Sequence, residues 1–200
     1  MTIYLIRHGQ TDKNQEGLLQ GRSDQPLNAE GERQTQKTAA WFASRGIAFD
    51  RVYASPLIRA VQTASCFTPD AAMIETDERL LEMDYGPYEG MDLSDPAPEI
   101  KVFFSDFVHN PAPEGMEPLS SVVARMGEFL EDLQNSTGNI LIVTHAVAMK
   151  GALEYLTPES GGSYWSIYIG TCGVYAFERT DTGFTIPEEI VCKGSATEGV

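Results

Sequence analysis

Two short apolar runs in the sequence each lead into a histidine. Residues 3–6 are followed by Arg7 and His8, and residues 140–143 lie just before His145. A run of apolar residues without alternation is typical of a strand buried on both faces, as in a parallel sheet. Because ligands of open α/β sheets bind outside the carboxyl ends of the strands, the two runs predict a site that contains both histidines.

Helical patterns separate the predicted strands. We predict strands over residues 2–6, 51–54, 72–76 and 140–144, and a closing hairpin from 173–179 and roughly 184–192 around Asp181-Thr182-Gly183. We predict helices over residues 28–45, from Ser55-Pro56 to about Phe67, over 119–134 and over 146–156. This alternation predicts the α/β class, as a three-layer α/β/α sandwich with a mostly parallel central sheet.

Local signals mark the ends of two of these helices. Asn28 is a candidate N-cap and Gly46 a candidate C′ residue of the first helix. Ser55 is a candidate N-cap of the second helix, with Pro56 at its first helical position.

Residues 84–118 break the alternation. Prolines recur there, and Phe103, Phe104 and Phe107 form an aromatic patch. We interpret the segment as a small cap or lid over one end of the sheet, within a single domain that spans residues 1–200. For the aromatic patch, packing within the cap is favoured over contact with a substrate.

Composition excludes several classes of function. The 200 residues are 42% hydrophobic, which suits one sizeable core, and no apolar run approaches the roughly 20 residues that a membrane-spanning helix needs. A net charge of −15 argues against a general nucleic-acid or anionic-membrane binder. The N-terminus lacks the layout of a signal peptide, and the three cysteines form no CxxC motif, so we expect a cytoplasmic protein.

The positive charges are concentrated in the first third of the chain. Residues 1–59 carry a net charge of +2, whereas residues 60–200 carry −17. Any arginines that bind an anion should therefore come mainly from the first third.

Five residue positions together suggest phosphoryl transfer. Arg7, His8 and His145 end strands, Arg59 falls in the first turn of a helix, and Glu82 opens the irregular segment. Guanidinium groups match phosphate oxygens, and a neutral imidazole with its other nitrogen held can attack phosphorus. A second imidazole can stabilise the transferring group when it is protonated, and a carboxylic acid can protonate the leaving alkoxide. Such a set needs no metal, because the arginines supply the positive charge.

Other uses of these residue types have less support. There is no HExxH motif and no histidine pair at helical spacing, so we predict no metal site. A GxSxG motif is also missing, and no cysteine neighbours a plausible base. His109, in the irregular segment, is interpreted as a surface residue.

The same residues resemble the histidine phosphatase superfamily, the phosphoglycerate mutase-like family, in its phosphatase-type branch. The resemblance is carried by five segments: RHGQTDKN (7–14), LQGRSDQPLNAEGERQ (19–34), YASPLIRAVQTA (53–64), LLEMDYGPYEG (80–90) and LIVTHA (141–146). Together they cover most of the chain outside the cap and the C-terminus.

The resemblance implies a role for each catalytic candidate. His8 would be the phosphorylated nucleophile, and Arg7 and Arg59 would clamp the phosphate. His145 would complete the pocket, and Glu82 would be the proton donor.

The resemblance also implies further binding residues. Asn14 would donate a hydrogen bond to a phosphate oxygen, Gln20 and Gly21 would line the entry for substrate, and Ala146 would offer its backbone N–H where glycine is frequent in the family. We expect Glu89 to be structural. We also expect Arg22 and Asp24 to form a local pair that shapes the loop.

The predicted function is a metal-independent phosphomonoesterase that acts on a small-molecule phosphate ester through a phosphohistidine at His8, with no cofactor. Two alternatives stay open: a cofactor-dependent, phosphoglycerate mutase-type transfer, and a non-catalytic phosphate-binding module. The RHGQT start and the short chain favour the phosphatase. The substrate and the oligomeric state are not specified by the sequence.

Overall fold

A computed structural model of the chain describes residues 1–192. Its central sheet contains seven strands: β1 (Thr2–Arg7), β2 (Arg51–Ala54), β3 (Ile74–Thr76), β4 (Asn139–Thr144), β5 (Val174–Thr180), β6 (Gly183–Phe184) and β7 (Glu188–Ile190). Their order is β3-β2-β4-β1-β5-β6, and β7 also pairs with β5. The four strands from β3 to β1 are parallel, whereas β5 runs antiparallel to β1.

Six α-helices accompany the sheet in the described residues: α1 (Asp12–Gln15), α2 (Ala29–Ala43), α3 (Ile58–Ser65), α4 (Pro98–Ser105), α5 (Leu119–Asp132) and α6 (Ala146–Leu156). The Asn28 side chain accepts a hydrogen bond from the Gly31 N–H at 2.9 Å, so the predicted N-cap of α2 is confirmed. None of these helices is long and apolar enough to cross a membrane.

Two hydrophobic cores lie on opposite faces of the sheet. Along β4, Ile140 and Ile142 point into the core formed with α5 and α6, while Leu141 and Val143 point into the core beneath α2 and α3. All four side chains are fully buried. The α/β class and the three-layer arrangement with a mostly parallel sheet are therefore confirmed.

The parallel register brings the two histidines to one edge. β1 pairs with β4 so that Arg7 lies opposite Thr144, and the residues that follow are His8 and His145. The backbone N–H of His8 then donates to the carbonyl of Thr144 at 3.0 Å. A single ladder thus fixes the backbone positions of both histidines.

Several predicted boundaries differ from those in the structure. Helix α3 begins at Ile58, not at Pro56, and its N-cap position is Leu57 rather than Ser55. Asp24 accepts a hydrogen bond from the Ile58 N–H at 2.7 Å, and this contact takes the place of a local cap. The strand predicted over 72–76 is shortened to β3, because residues 71–73 form a 3₁₀ turn.

The cap and the hairpin also differ from the expectation. The cap contains helix α4, which was not predicted because prolines recur in this segment. This helix buries Ile100 and Phe103. In the hairpin, β5 pairs with the two short strands β6 and β7 instead of one continuous strand. Residues 193–200 lie outside the described part of the chain.

Candidate active site

His8 follows β1 at the carboxyl edge of the sheet and is almost fully buried. Its Nδ1 lies 2.6 Å from the carbonyl oxygen of Gly9. Since a carbonyl only accepts, Nδ1 carries the proton, and the lone pair of the ring is on Nε2. That Nε2 accepts a hydrogen bond from Nε of Arg59 at 3.2 Å. The neighbours of His8 therefore fix its tautomer and direct Nε2 towards a guanidinium group.

Arg59 is fully buried in the first turn of α3. Its guanidinium group donates to the carbonyl of Ser23 at 2.8 Å and to that of Gly21 at 2.6 Å. These bonds hold Arg59 against the loop that precedes α2. Within residues 1–192 Arg59 forms no salt bridge, so its buried positive charge can bind an anion.

His145 is the N-cap residue of α6 and is fully buried. Its Nε2 lies 2.8 Å from the hydroxyl oxygen of Ser55. The ring centroids of His145 and His8 are 5.0 Å apart, with the rings inclined at 61°. Both imidazoles therefore face one small volume beside Arg59.

Glu82 lies buried against the N-terminus of α6. Its Oε1 accepts from the backbone N–H groups of Met83, Val147 and Ala148 at 2.9, 3.1 and 3.0 Å. The first turn of the helix after His145 thereby orients this carboxyl group. Because Glu82 and His145 are anchored to the same turn, their separation is set by the fold.

Burial and positive charge make both imidazoles poor bases. Burial is the largest cause that holds the pKa of His8 well below its ordinary value of 6.5, and the positive charges of Arg59 and Arg7 lower this pKa further. The pKa of His145 is also well below 6.5. Burial is again the largest cause, followed by the charges of Arg59, His8 and Arg7. Both rings are therefore neutral at pH 7 in the free protein, whereas the protonated second imidazole predicted from the sequence belongs to the state with an anion beside it. A phosphate dianion beside His145 would act in the opposite direction.

Burial also lowers the pKa of Arg59, to about 10. The charges of Glu82, Glu89 and Asp24 partly oppose this effect. At pH 7 the guanidinium group therefore remains charged.

Arg7 lies at the wall of a cleft of about 560 Å³ that Asn14 and Tyr168 also line. One of its terminal nitrogens donates to the carbonyl of Ile169 at 2.6 Å. The cleft adjoins the site at Arg7 and Asn14, whereas His8, Arg59, His145 and Glu82 do not line it.

Buried nitrogens without a partner occur on three residues of the predicted site. Within residues 1–192, five buried side-chain polar atoms have no hydrogen-bond partner, and three of them belong to Arg7 (Nε), Gln20 (Nε2) and His145 (Nδ1). Leaving a buried donor unpaired costs about 1–3 kcal/mol. The Arg7 and Gln20 nitrogens are donors suited to an anion, and Nδ1 of His145 is a donor in the tautomer whose Nε2 accepts from Ser55.

The other residues predicted for the site lie around this centre. In the capping box of α1, the Asn14 side chain accepts from the Thr11 N–H at 3.2 Å, which leaves its amide nitrogen as a donor. Gln20 accepts from the Thr11 hydroxyl at 2.7 Å. Ala146 is the first residue of α6, directly after His145.

Gly21 is required by close approach rather than by an unusual backbone conformation. A Cβ atom there would lie 2.7 Å from the carbonyl oxygen of Met83 and from the carboxylate of Glu89. The Gly21 N–H itself donates to Glu89 at 2.9 Å. Glu89 is thus structural, as expected, because it holds the loop whose carbonyl groups bind Arg59.

The predicted pairing of Arg22 with Asp24 is wrong. Arg22 instead lies 3.5 Å from both Asp84 and Glu117. Asp24 is occupied at the N-terminus of α3, where the helix dipole favours a carboxylate.

Two residues near the centre were missed by the sequence analysis. Ser55 was interpreted as a helix cap, although it binds His145, and Thr11, which joins Gln20 to α1, was not considered. The SPL segment that follows a predicted strand was the available signal for Ser55. The third histidine, His109, has a side chain that is 80% exposed and pairs with Asp106, so it is a surface residue as expected.

Comparisons with known proteins identify the family. The family model of the histidine phosphatase superfamily (branch 1) matches residues 3–189. The chain is 34% identical to the uncharacterized phosphatase PhoE of Bacillus subtilis, over 80% of this chain and 78% of that protein. It is 27% identical to a 2,3-bisphosphoglycerate-dependent phosphoglycerate mutase of Mesorhizobium japonicum, over 96% and 98%.

A solved structure agrees in both fold and sequence. A mutant phosphoserine phosphatase from Entamoeba histolytica, in complex with phosphoserine, superposes with a TM-score of 0.83 at 25% identity, covering 96% of this chain and 98% of that one. The chain belongs to the histidine phosphatase superfamily. It is an enzyme, a phosphatase of the histidine phosphatase type.

Proposed function

We propose that this enzyme is a metal-independent phosphomonoesterase that hydrolyses a small-molecule phosphate ester through a phosphohistidine on His8. The observation that carries the proposal is the state of the His8 ring. Its Nδ1 proton is held by the Gly9 carbonyl, and its Nε2 lone pair accepts from Arg59 Nε. Because the pKa of this buried imidazole is lowered, Nε2 is unprotonated at pH 7 and can attack phosphorus once a bound phosphate draws the Arg59 donor away.

The phosphate group would be bound by the donors around this ring. Arg7 and Arg59 supply positive charge and N–H groups, Asn14 and Gln20 add amide donors, and His145 would add a charged N–H group if the bound phosphate protonates it. Preorganised donors of this kind stabilise the charge of a transferring phosphoryl group without a metal ion.

The reaction would proceed in two displacements. In the first, Nε2 of His8 forms a bond to phosphorus as the bond to the alcohol oxygen breaks, and Glu82 protonates the departing oxygen. In the second, Glu82 takes a proton from water, the water oxygen bonds to phosphorus and the bond to Nε2 breaks. Inorganic phosphate and the alcohol are the products.

The phosphatase reaction differs from mutase transfer only in the acceptor of the phosphoryl group. The phosphatase relatives and the RHGQT start favour water as the acceptor over a second hydroxyl of the substrate. A purely binding module would not need an oriented nucleophile together with an oriented carboxylic acid.

The remaining expectations fit this activity. We propose that one domain, including the cap, carries the activity, and that the enzyme acts in the cytoplasm on small metabolites rather than on nucleic acids or membranes. All three cysteines lie within residues 1–192, and no disulfide bond joins them. The net charge of −15 disfavours polyanionic partners.

The test is release of phosphate from glycerol 3-phosphate and p-nitrophenyl phosphate in excess EDTA, with a zinc-dependent phosphatase treated in parallel. We expect unchanged rates for this enzyme and loss of activity for the zinc enzyme. Complete loss that Mg²⁺ or Zn²⁺ restores would reject the metal-free mechanism. Interconversion of phosphoglycerates with 2,3-bisphosphoglycerate, faster than phosphate release, would identify a mutase instead.

A further inference from the structure

A second cavity, of about 380 Å³, lies between the cap and the segment that follows α6. We call it the aromatic pocket and define it by Phe104, Phe107, Lys150, Trp165 and Tyr168. Tyr168, whose side chain is largely exposed, lines both this pocket and the 560 Å³ cleft beside Arg7. The aromatic pocket therefore adjoins the cleft that Arg7 lines.

Lys150 is the cation of this pocket, and helix geometry directs it towards the catalytic centre. It lies on α6, one turn after the residues whose N–H groups bind Glu82. Side chains on a helix lean towards its N-terminus, so Lys150 extends back in the direction of Glu82. Burial is the largest effect on the pKa of Lys150 and lowers it. The charge of Glu82 raises this pKa and the charge of Arg7 lowers it, so both side chains act on the ammonium group.

One short segment holds both Lys150 and Arg7. Nζ of Lys150 donates to the carbonyl of Trp165 at 2.9 Å, and Arg7 donates to the carbonyl of Ile169 at 2.6 Å. Three residues separate these two acceptors in the sequence. The segment thus positions one cation at the phosphate end of the site and another in the aromatic pocket.

The ammonium group of Lys150 retains binding capacity. It has three N–H donors, of which one is used by Trp165, and it forms no ion pair within residues 1–192. The ring of Phe107 lies 5.4 Å from Nζ. The pocket also includes Asp106, whose carboxylate accepts from the Val108 and His109 N–H groups at 3.0 and 3.1 Å.

We propose that the aromatic pocket receives the alcohol part of the substrate and that Lys150 binds a second anionic group on it. The substrate class is a phosphate monoester whose alcohol carries a carboxylate or another phosphate, with a body that packs against Phe104, Phe107 and Tyr168. This inference rests on the proposed phosphatase function and makes Lys150 a residue that determines specificity.

The test compares matched substrates that differ in one charge. The short pair is 3-phosphoglycerate and glycerol 3-phosphate, and the long, aromatic pair is 4-carboxyphenyl phosphate and 4-carbamoylphenyl phosphate. In Lys150→Met, we expect the preference for the charged member of at least one pair, as a ratio of kcat/KM, to fall roughly 10- to 100-fold, mainly through KM. The neutral members should change by less than about threefold.

Two further variants separate specificity from structure. Lys150→Arg keeps the charge and should keep the preference, whereas Lys37→Met, at an exposed position on α2, makes the same change in net charge and should have no effect. An unchanged ratio in both pairs, or equal loss on charged and neutral substrates, overturns the role of Lys150. If the unmodified enzyme releases phosphate from none of the four esters, the proposed phosphatase function itself fails.

Discussion

At the carboxyl edge of the sheet, His8, Arg59, His145 and Glu82 are buried and are each fixed by hydrogen bonds from neighbouring elements; we call these four residues the phosphate pocket. The cap, residues 84–118, is held differently. Its aromatic rings pack against one another and against Trp165, and it leaves large apolar side chains exposed.

This difference assigns two tasks to two kinds of structure. Buried hydrogen-bond donors that cannot reorient stabilise the charge on the transferring phosphoryl group, and this group is common to all phosphate esters. The cap consists of packed aromatic rings and short irregular segments, so its sequence can vary without disturbing the sheet. This variability suits it to recognise the alcohol part of the substrate. Changes in the phosphate pocket should therefore affect every substrate, whereas changes around the cap should alter selectivity.

Glu82 gives the largest expected contrast between substrates within the phosphate pocket. A positioned general acid contributes about 10²–10⁴-fold, or roughly 3–5 kcal/mol of barrier. Glu82→Gln should therefore slow phosphoryl transfer from an alkyl phosphate by two or more orders of magnitude. Transfer from p-nitrophenyl phosphate should slow much less, because nitrophenolate leaves without a proton. Rapid-mixing kinetics on the two substrates measures both steps.

The rival role for Glu82 is to brace the N-terminus of α6. In that case the variant would lose activity on both substrates about equally and bind phosphate more weakly. Equal losses in the phosphorylation step would rule out Glu82 as the proton donor.

The two buried histidines should also make stability depend on pH. Their pKa values are lowered in the folded protein, so the unfolded chain takes up protons first as the pH falls below the ordinary value of 6.5. Stability is therefore complete above pH 6.5 and declines at lower pH, by up to about 1.4 kcal/mol per pH unit for each histidine. Urea unfolding at pH 7.5, 6.5 and 5.5 measures the slope.

Matched variants assign that slope to the phosphate pocket. His8→Gln and His145→Gln should each reduce it. A slope that His8→Gln and His145→Gln do not alter would contradict the buried, neutral state of these rings.

Ser55 should give a smaller, uniform effect. Its hydroxyl group positions His145 without reaching the substrate. Ser55→Ala should reduce kcat/KM roughly tenfold, about 1.4 kcal/mol, on alkyl and aryl phosphates alike. Ser65→Ala, at an exposed position on α3, is the control. If Ser55→Ala changed the selectivity between substrates, the phosphate pocket and the cap would not be independent.

The sequence predicted that His8, His145 and Arg59 lie together because these residues are tied to periodic elements. Apolar runs locate β1 and β4, and the parallel register then brings His8 and His145 together without knowledge of any loop. Arg59 follows in the same way from the helix after β2.

Features that depend on tertiary contacts were missed or wrong. Ser55 and Asp24 were assigned to local roles, but each bonds to a residue distant in sequence, His145 or Ile58. Helix α4 lies in a proline-rich stretch and is stabilised by burial of Ile100 and Phe103, which no local signal predicts. Lys150 gave no signal either, since its pocket exists only when the segment after α6 folds back over it.

The most direct measurement of the central claim is a search for phosphate on His8. The enzyme is mixed rapidly with a labelled phosphomonoester and quenched in alkali, and the modified residue is located by mass spectrometry. The account predicts an acid-labile, alkali-stable phosphate on His8 in the unmodified enzyme and none in His8→Asn, which should also lose turnover. Phosphate on any other residue, or label retained by the His8→Asn protein, would contradict it.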